Sequence, residues 1–138
     1  MTRPRSVLFA CNWNTVRSPM AAALLRRFDV ALRVESCGLL AGEALDPFAI
    51  AVMQEIGLGL EAHEPRSFSD LAPGAFDLVV TLTPEADVRA AAMARDAVTV
   101  EHWPTQDPAV EEGSREQRLL AYRQVRDQLE QRLKERFG

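Results

Sequence analysis

Cysteine is scarce in this chain, two in 138 residues, and two cannot staple a disulfide scaffold, so the fold must rest on an apolar core. Histidine is equally scarce. His63 and His102 stand far apart, and no Cys/His spacing fits a zinc site. No apolar run approaches the roughly 20 residues of a membrane helix. A secretory leader is missing as well: Thr2-Arg-Pro-Arg5 is basic, but the apolar run behind it lasts only about five residues, short of a signal-peptide h-region. These absences predict a cytoplasmic chain with no membrane partner. A formal net charge of −4 offers no basic surface of the kind that tracks a phosphate backbone, which argues against nucleic acid as a partner. Repeats and low-complexity linkers are absent too. At 138 residues and 47% hydrophobic composition, residues 1–138 read as one globular domain.

What is present alternates between strand and helix patterns. Strands are expected at about Ser6 to Ala10, Leu32 to Cys37, Phe76 to Leu82 and Val98 to Trp103. Between the first two lies a helix with Ser18 as N-cap and Pro19 at its first position, running through Met20, Ala21 and Leu24. Asp46 caps a second helix through Pro47, Ala51, Met53 and Ile56, stopped by Gly57. Pro84 opens a third, Ala-rich helix to about Ala94. Ser114 and Gln117 form a capping box for the last helix, whose apolar stripe is Leu119, Tyr122, Val125, Leu129, Leu133 and Phe137. On this reading Tyr122 is core rather than ligand. The pairs Arg115-Glu116 and Arg126-Asp127 look like a solvated helix face. The pattern predicts an α/β fold: a doubly wound, four-stranded parallel sheet with helices on both faces.

The most informative segment is Cys11-Asn-Trp-Asn-Thr-Val-Arg17-Ser18-Pro19, which ends the first strand and opens the first helix. Ligands of open parallel sheets bind beyond the carboxyl ends of the strands, and Cys11 sits at that edge. Arg17 offers a planar fork suited to two oxygens of one oxyanion. Backbone N–H groups between Cys11 and Ser18 can point into the same concavity, and Asn14 tolerates the left-handed backbone such a loop needs. A thiol beside a cation and a helix N-terminus is set up as a nucleophile. Taken alone, a cysteine that ends an apolar run is a small buried hydrophobe. The strand before it, Arg17 after it and the Ser-Pro helix start together point to a phosphate-binding nucleophile loop.

This loop resembles that of the low-molecular-weight protein tyrosine phosphatases: Cys, five residues, Arg, then Ser or Thr. The resemblance covers essentially the whole chain. Asp46-Pro47, His63-Glu-Pro-Arg66, Asp77-Leu-Val-Val-Thr81 and Asp107-Pro108 follow in the family's order. It implies a phosphatase I-like fold and a cysteine-dependent phosphatase that hydrolyses phosphotyrosine or a related aryl phosphate monoester through a phosphocysteine. Cys11 would attack phosphorus, and Arg17 with loop residues Asn12, Trp13, Asn14, Thr15, Val16 and Ser18 would hold phosphate or a related oxyanion. Asp107 would be the general acid and then the base. Ser18 would donate to the Cys11 thiolate, and His63 would help hold Asn14, although by itself it reads as an ordinary histidine. The implied partner is a phosphorylated protein or a small aryl phosphate, with no metal and no cofactor.

The superfamily also contains thioredoxin-coupled arsenate reductases, and the stretch from His102-Trp103 to Asp107-Pro108-Ala109 resembles that branch as closely. Two alternatives therefore stand beside the phosphatase: an arsenate reductase-like redox enzyme using the same oxyanion loop, and a non-catalytic phosphate or phosphopeptide binder. Several positions depart from the phosphatase pattern. Trp13 replaces a customary Gly and would face outward, Val16 replaces a frequent second cysteine, and Ala109-Val110 replaces an aromatic pair. No cysteine lies between Leu82 and Trp103, where the thioredoxin-coupled reductases carry theirs. Cys37 reads most simply as a small buried residue. It is also a candidate redox partner for Cys11: adjacent strands about 4.8 Å apart admit the roughly 4.4–6.8 Å Cα separation of a disulfide.

Overall fold

The computed structural model describes residues 3–60, 62–71, 75–93 and 98–138. Thr2 of the basic N-terminal segment and Ala94, expected near the end of the third helix, lie outside them. Eight main elements follow in the order β1 Ser6–Cys11, α1 Arg17–Phe28, β2 Arg33–Gly38, α2 Pro47–Gln54, β3 Leu78–Thr81, α3 Pro84–Met93, β4 Thr99–His102 and α4 Arg115–Phe137. The four strands form one parallel sheet in the order β2-β1-β3-β4. Alternate residues of β1 feed opposite cores. Val7, Phe9 and Cys11 pack with α1, α2 and α4, whereas Leu8 and Ala10 pack with Phe68 and with Ala86 and Ala90 of α3. The carboxyl ends of the neighbouring β1 and β3 therefore form the topological switch point where ligands of such sheets bind.

Local chemistry sets most element ends. Asp46 Oδ1 accepts from the amides of Phe48 at 2.7 Å and Ala49 at 3.4 Å, capping α2 with Pro47 at its start. Helix α4 opens on a reciprocal box: Ser114 N donates to Gln117 Oε1 at 2.8 Å and Gln117 N donates to Ser114 Oγ at 3.1 Å. Its stripe from Leu119 to Phe137 is buried as the periodicity predicts.

Four local expectations change. Helix α1 starts at Arg17, with Val16 in the capping position and no side-chain cap, so Ser18 lies inside the first turn with its hydroxyl committed elsewhere. Helix α2 ends at Gln54, before Ile56, while Gly57 adopts φ 78° in the turn that follows. Strands β3 and β4 are shorter than expected, since pairing covers only Leu78–Thr81 against Thr99–His102. On α4, Arg126 is not merely solvated: its Nη1 donates to Val52 O at 2.7 Å and pairs with Glu55 at 2.9 Å. Among the described residues no helix is long and apolar enough to cross a membrane.

Candidate active site

The chain leaves β1 at Cys11 and turns through residues 12–16 into α1, and every carbonyl along this path is held from outside. Cys11 O accepts from Leu39 N, Asn12 O from Leu40 N and Trp13 O from Gly42 N. Thr15 O accepts from Asp46 N and Val16 O from Met20 N, at 2.9–3.2 Å for these five. Asn14 O is taken by His63 Nε2 at 3.1 Å. The described chain contains no cis peptide bond, and in a trans peptide the next residue's N–H points opposite to the C=O. Outward carbonyls therefore turn the amides of Asn12 to Arg17 inward, toward one point. Such a concavity binds anions through backbone dipoles alone. Gly38 is required beside it, because a Cβ there would lie 2.7–2.8 Å from Leu40 O, Asn12 O and Asn14 N.

The loop's buried underside is a closed polar network. Asn14 adopts φ 58° and is fully buried. Its Nδ2 donates to Ser18 Oγ at 2.8 Å and Ser36 Oγ at 3.0 Å, and its Oδ1 accepts from Arg66 N at 3.0 Å. Ser18 Oγ lies 2.9 Å from Cys11 Sγ and 3.2 Å from the Cys37 carbonyl, to which it can donate. The single hydroxyl proton thus has two acceptors to choose between, the carbonyl and the sulfur. A carbonyl only accepts, so His63 carries its proton on Nε2 to meet Asn14 O. Burial is the main influence on this imidazole and pulls its pKa below the ordinary value.

Above the loop lies a small cavity of about 80 Å³ lined by Cys11, Trp13, Thr15, Val16, Arg17, Asp46, Asp107 and Ala109. Arg17 is anchored by Nη1 donating to Thr105 O at 2.9 Å, with Nη2 4.0 Å from Asp107 Oδ2. Two carboxylates line this cavity and differ in availability. Asp46 has both oxygens engaged, Oδ1 by the α2 amides and Oδ2 by the Tyr122 hydroxyl at 2.8 Å. Asp107 accepts from Ala109 N through Oδ1 at 2.9 Å, leaving Oδ2 toward Arg17. Of the two, Asp107 is the one with an oxygen available for proton transfer.

The cavity thus brings together Cys11, Trp13, Thr15, Val16, Arg17 and Asp107. The Asn12 side chain is turned away, its Oδ1 accepting from Thr83 Oγ1 at 2.7 Å and its Nδ2 donating to Glu85 Oε1 at 3.1 Å. Trp13 is 51% exposed and stands at the mouth. Cys37 does not join the site. The register pairs it with Ala10, so its side chain enters the α3-side core while Cys11 faces the other way. A disulfide between them does not fit this register, because residues one step apart along paired strands point to opposite faces. Burial, followed by the influence of Cys11, also pushes the Cys37 thiol up to about 12, which keeps it neutral and a poor redox group.

Sequence reasoning missed Thr105 as the anchor of Arg17 and read Asp46 only as a helix cap. The signal for Asp46 was its place shortly after the carboxyl end of β2, on the same rim as Cys11. Tyr122 is core as expected, yet its hydroxyl also holds Asp46, and burial with that hydrogen bond raises its pKa. Among the described residues no group of three or more His, Cys, Asp or Glu could hold a metal ion.

Known proteins resemble this chain along most of its length. The model of the low molecular weight phosphotyrosine protein phosphatase family matches residues 6–137. The low molecular weight protein-tyrosine-phosphatase Wzb of Escherichia coli is 42% identical over 79 residues, 56% of this chain and 54% of that protein. The match thus spans about half the length of that relative. An arsenate reductase of Bacillus subtilis is 34% identical over 131 residues, 94% of this chain and 92% of that protein. Among solved structures, an arsenate reductase from Archaeoglobus fulgidus superposes with a TM-score of 0.77 at 30% identity, covering 94% of this chain and 96% of its own. The matched residues include β1, the outward-tied loop and α1, and the chain belongs to the low molecular weight phosphotyrosine protein phosphatase family.

Proposed function

We propose that this protein is a cysteine-dependent phosphatase acting on phosphotyrosine or a related aryl phosphate monoester. The observation that carries the reading is the set of outward-tied carbonyls from Cys11 to Val16, which aims a row of amides at a cavity shared by Cys11, Arg17 and Asp107. A phosphoryl group seated there has its equatorial oxygens on the amides and the Arg17 fork, which stabilise its charge through the transition state. Cys11 Sγ attacks phosphorus in line, an S–P bond forms and the P–O bond to the leaving group breaks. Asp107, in its acid form, gives its proton to the departing oxygen. The resulting carboxylate then takes a proton from water as that water attacks phosphorus, the S–P bond breaks, and phosphate leaves with Cys11 and Asp107 restored. Ser18 swings its proton from the Cys37 carbonyl to the sulfur whenever the sulfur carries charge. The cavity is small, so an aryl leaving group lies at its mouth, where Trp13 offers an apolar wall.

A second reading, arsenate reduction, is favoured by the 94% coverage in the match to the B. subtilis arsenate reductase. That chemistry needs two electrons from two thiols. Here Cys11 is the one thiol on its face of the sheet, so the second would have to come from an external low-molecular-weight thiol. A pure oxyanion or phosphopeptide binder needs neither the thiol nor a carboxylate with an available oxygen. The discriminating experiment measures phosphate release from an aryl phosphate beside arsenate reduction with thioredoxin or glutathione. Phosphate release is expected to dominate. Reduction alone would replace the phosphatase reading, and inactivity in both would favour the binder.

A further inference from the structure

We propose that Arg115 and Arg118 form a second anion subsite at the edge of the phosphate cavity. It would recognise a negatively charged group, a carboxylate or a second phosphate, carried beside the phosphotyrosine on the same peptide. The inference rests on the phosphatase reading above.

The arginines of α4 differ in what holds them. Arg123, Arg126 and Arg136 are bound to carboxylates, those of Glu55, Asp127 and Glu101 among them, and Arg132 lies over Trp103. Arg115 and Arg118 have no acid or hydrogen-bond acceptor at their guanidiniums among the described residues. Both converge on one ring instead, 5.4 and 4.4 Å from the centroid of Phe48. Stacking on an aromatic face holds a guanidinium in place without neutralising it, and its planar edge remains available to a carboxylate or phosphate. Arg118 also has a buried Nε with no partner.

Position ties the pair to the site. Phe48 follows Asp46 by two residues, and Asp46 lines the cavity. Arg118 lies one turn of α4 before Tyr122, whose hydroxyl donates to Asp46 Oδ2. The charges of Arg118 and Asp107 both act on the Tyr122 phenol, in opposite directions. The turn that follows Asp107, Pro108–Val110, packs against α4. The start of α4, which carries the two guanidiniums, thus adjoins Asp46 through Phe48 and Tyr122, and a residue adjacent to a bound phosphotyrosine would meet them there.

The test compares kcat/KM for three phosphotyrosyl peptides that differ only in the neighbouring residue: glutamine, glutamate or phosphoserine. At low salt the glutamate or phosphoserine peptide is expected to exceed the glutamine peptide by about tenfold, mainly through KM. Preference for one acidic peptide over the other identifies the anion as carboxylate or phosphate. Arg115→Gln with Arg118→Gln should bring the acidic-to-neutral ratio to about 1. Arg118→Lys should leave it intermediate, since it keeps charge without the fork. Raising salt to about 0.5 M should compress the wild-type ratio, a readout that does not depend on any variant folding. A purely structural role for Arg118 would slow all three peptides equally and keep the ratio, which would overturn the proposal. So would a wild-type ratio near 1 at low salt with the glutamine peptide well hydrolysed, an outcome that leaves the phosphatase reading intact. Failure to hydrolyse any of the peptides would overturn that reading, and the subsite with it.

Discussion

The floor and the rim of the cavity are held by opposite means. The loop from Cys11 to Val16 has each carbonyl bound to another part of the chain, and beneath it the fully buried Asn14 side chain bonds Ser18, Ser36 and Arg66. The Asp107 turn is a short 3-10 segment, Pro108–Val110, closed by one aspartate side-chain cap, and its carboxylate is about a third exposed. The difference separates geometry from chemistry. The floor presents several dipoles to one point, so its precision comes from many buried bonds; the rim, in the mechanism proposed above, moves a proton, and Asp107 Oδ2 accepts no hydrogen bond among the described residues, with only the Arg17 guanidinium 4.0 Å away.

The comparison is tested most severely at the sulfur. Cys11→Ser should abolish turnover while retaining oxyanion binding, because the amides and Arg17 persist; isothermal titration with phosphate alongside an activity assay checks both halves. Turnover near wild type would end the nucleophile assignment. Next in size is the floor itself. Asn14→Ala forces a Cβ-bearing residue without a supporting side chain to keep φ 58° and strands Arg66 N and Ser36 Oγ. A loss of about 3–5 kcal/mol in denaturant unfolding is expected, with activity falling alongside. Asn14→Gly should recover about 1 kcal/mol of it, isolating the backbone share from the hydrogen bonds.

Asp107→Asn asks the complementary question of the rim. It should slow esters with poor leaving groups by about 10²-fold, good ones far less, and leave stability within about 0.5 kcal/mol. Equal slowing of both esters would make Asp107 a shaper of the loop rather than its acid. Peroxide treatment sharpens the contrast between the two faces of the sheet. Because Cys37 faces away from Cys11, mass spectrometry should find no intramolecular disulfide, and Cys37→Ser should recover with dithiol as wild type does.

The smallest effect belongs to His63. Its folded pKa lies below the unfolded value of about 6.5, so the unfolded chain takes up a proton first as pH falls. The His63 contribution is then complete above about pH 6.5 and is lost on acidification toward the folded pKa. His63→Gln should accordingly flatten the pH dependence of unfolding midpoints in that window. An unchanged slope would show that the imidazole titrates alike in both states.

Much of this was legible in the chain because it is written within a few residues. The run from Ser6 to Cys11, the nine residues from Cys11 to Pro19, the Asp46-Pro47 cap and the Ser114–Gln117 box carry their own backbone preferences, and Asn14 is a residue type that tolerates the left-handed backbone it adopts. Strand adjacency of β1 and β2 was legible too, but their register was not: a single step decides which face Cys37 occupies, and that step depends on how both cores fill. Ser18 shows the same limit, since its identity suits a helix cap and only the arrival of Asn14, Cys11 and Cys37 around its hydroxyl gives it other work. The sequence alone determined the order of elements and the Cys11–Pro19 loop, because propensity and capping act over one or two turns. Tertiary structure decided which donors turn the loop amides inward, which of two aspartates keeps an available oxygen and where Arg115 and Arg118 stand. The partners in those bonds come from distant segments, and only packing of the whole sheet and its helices brings them within reach.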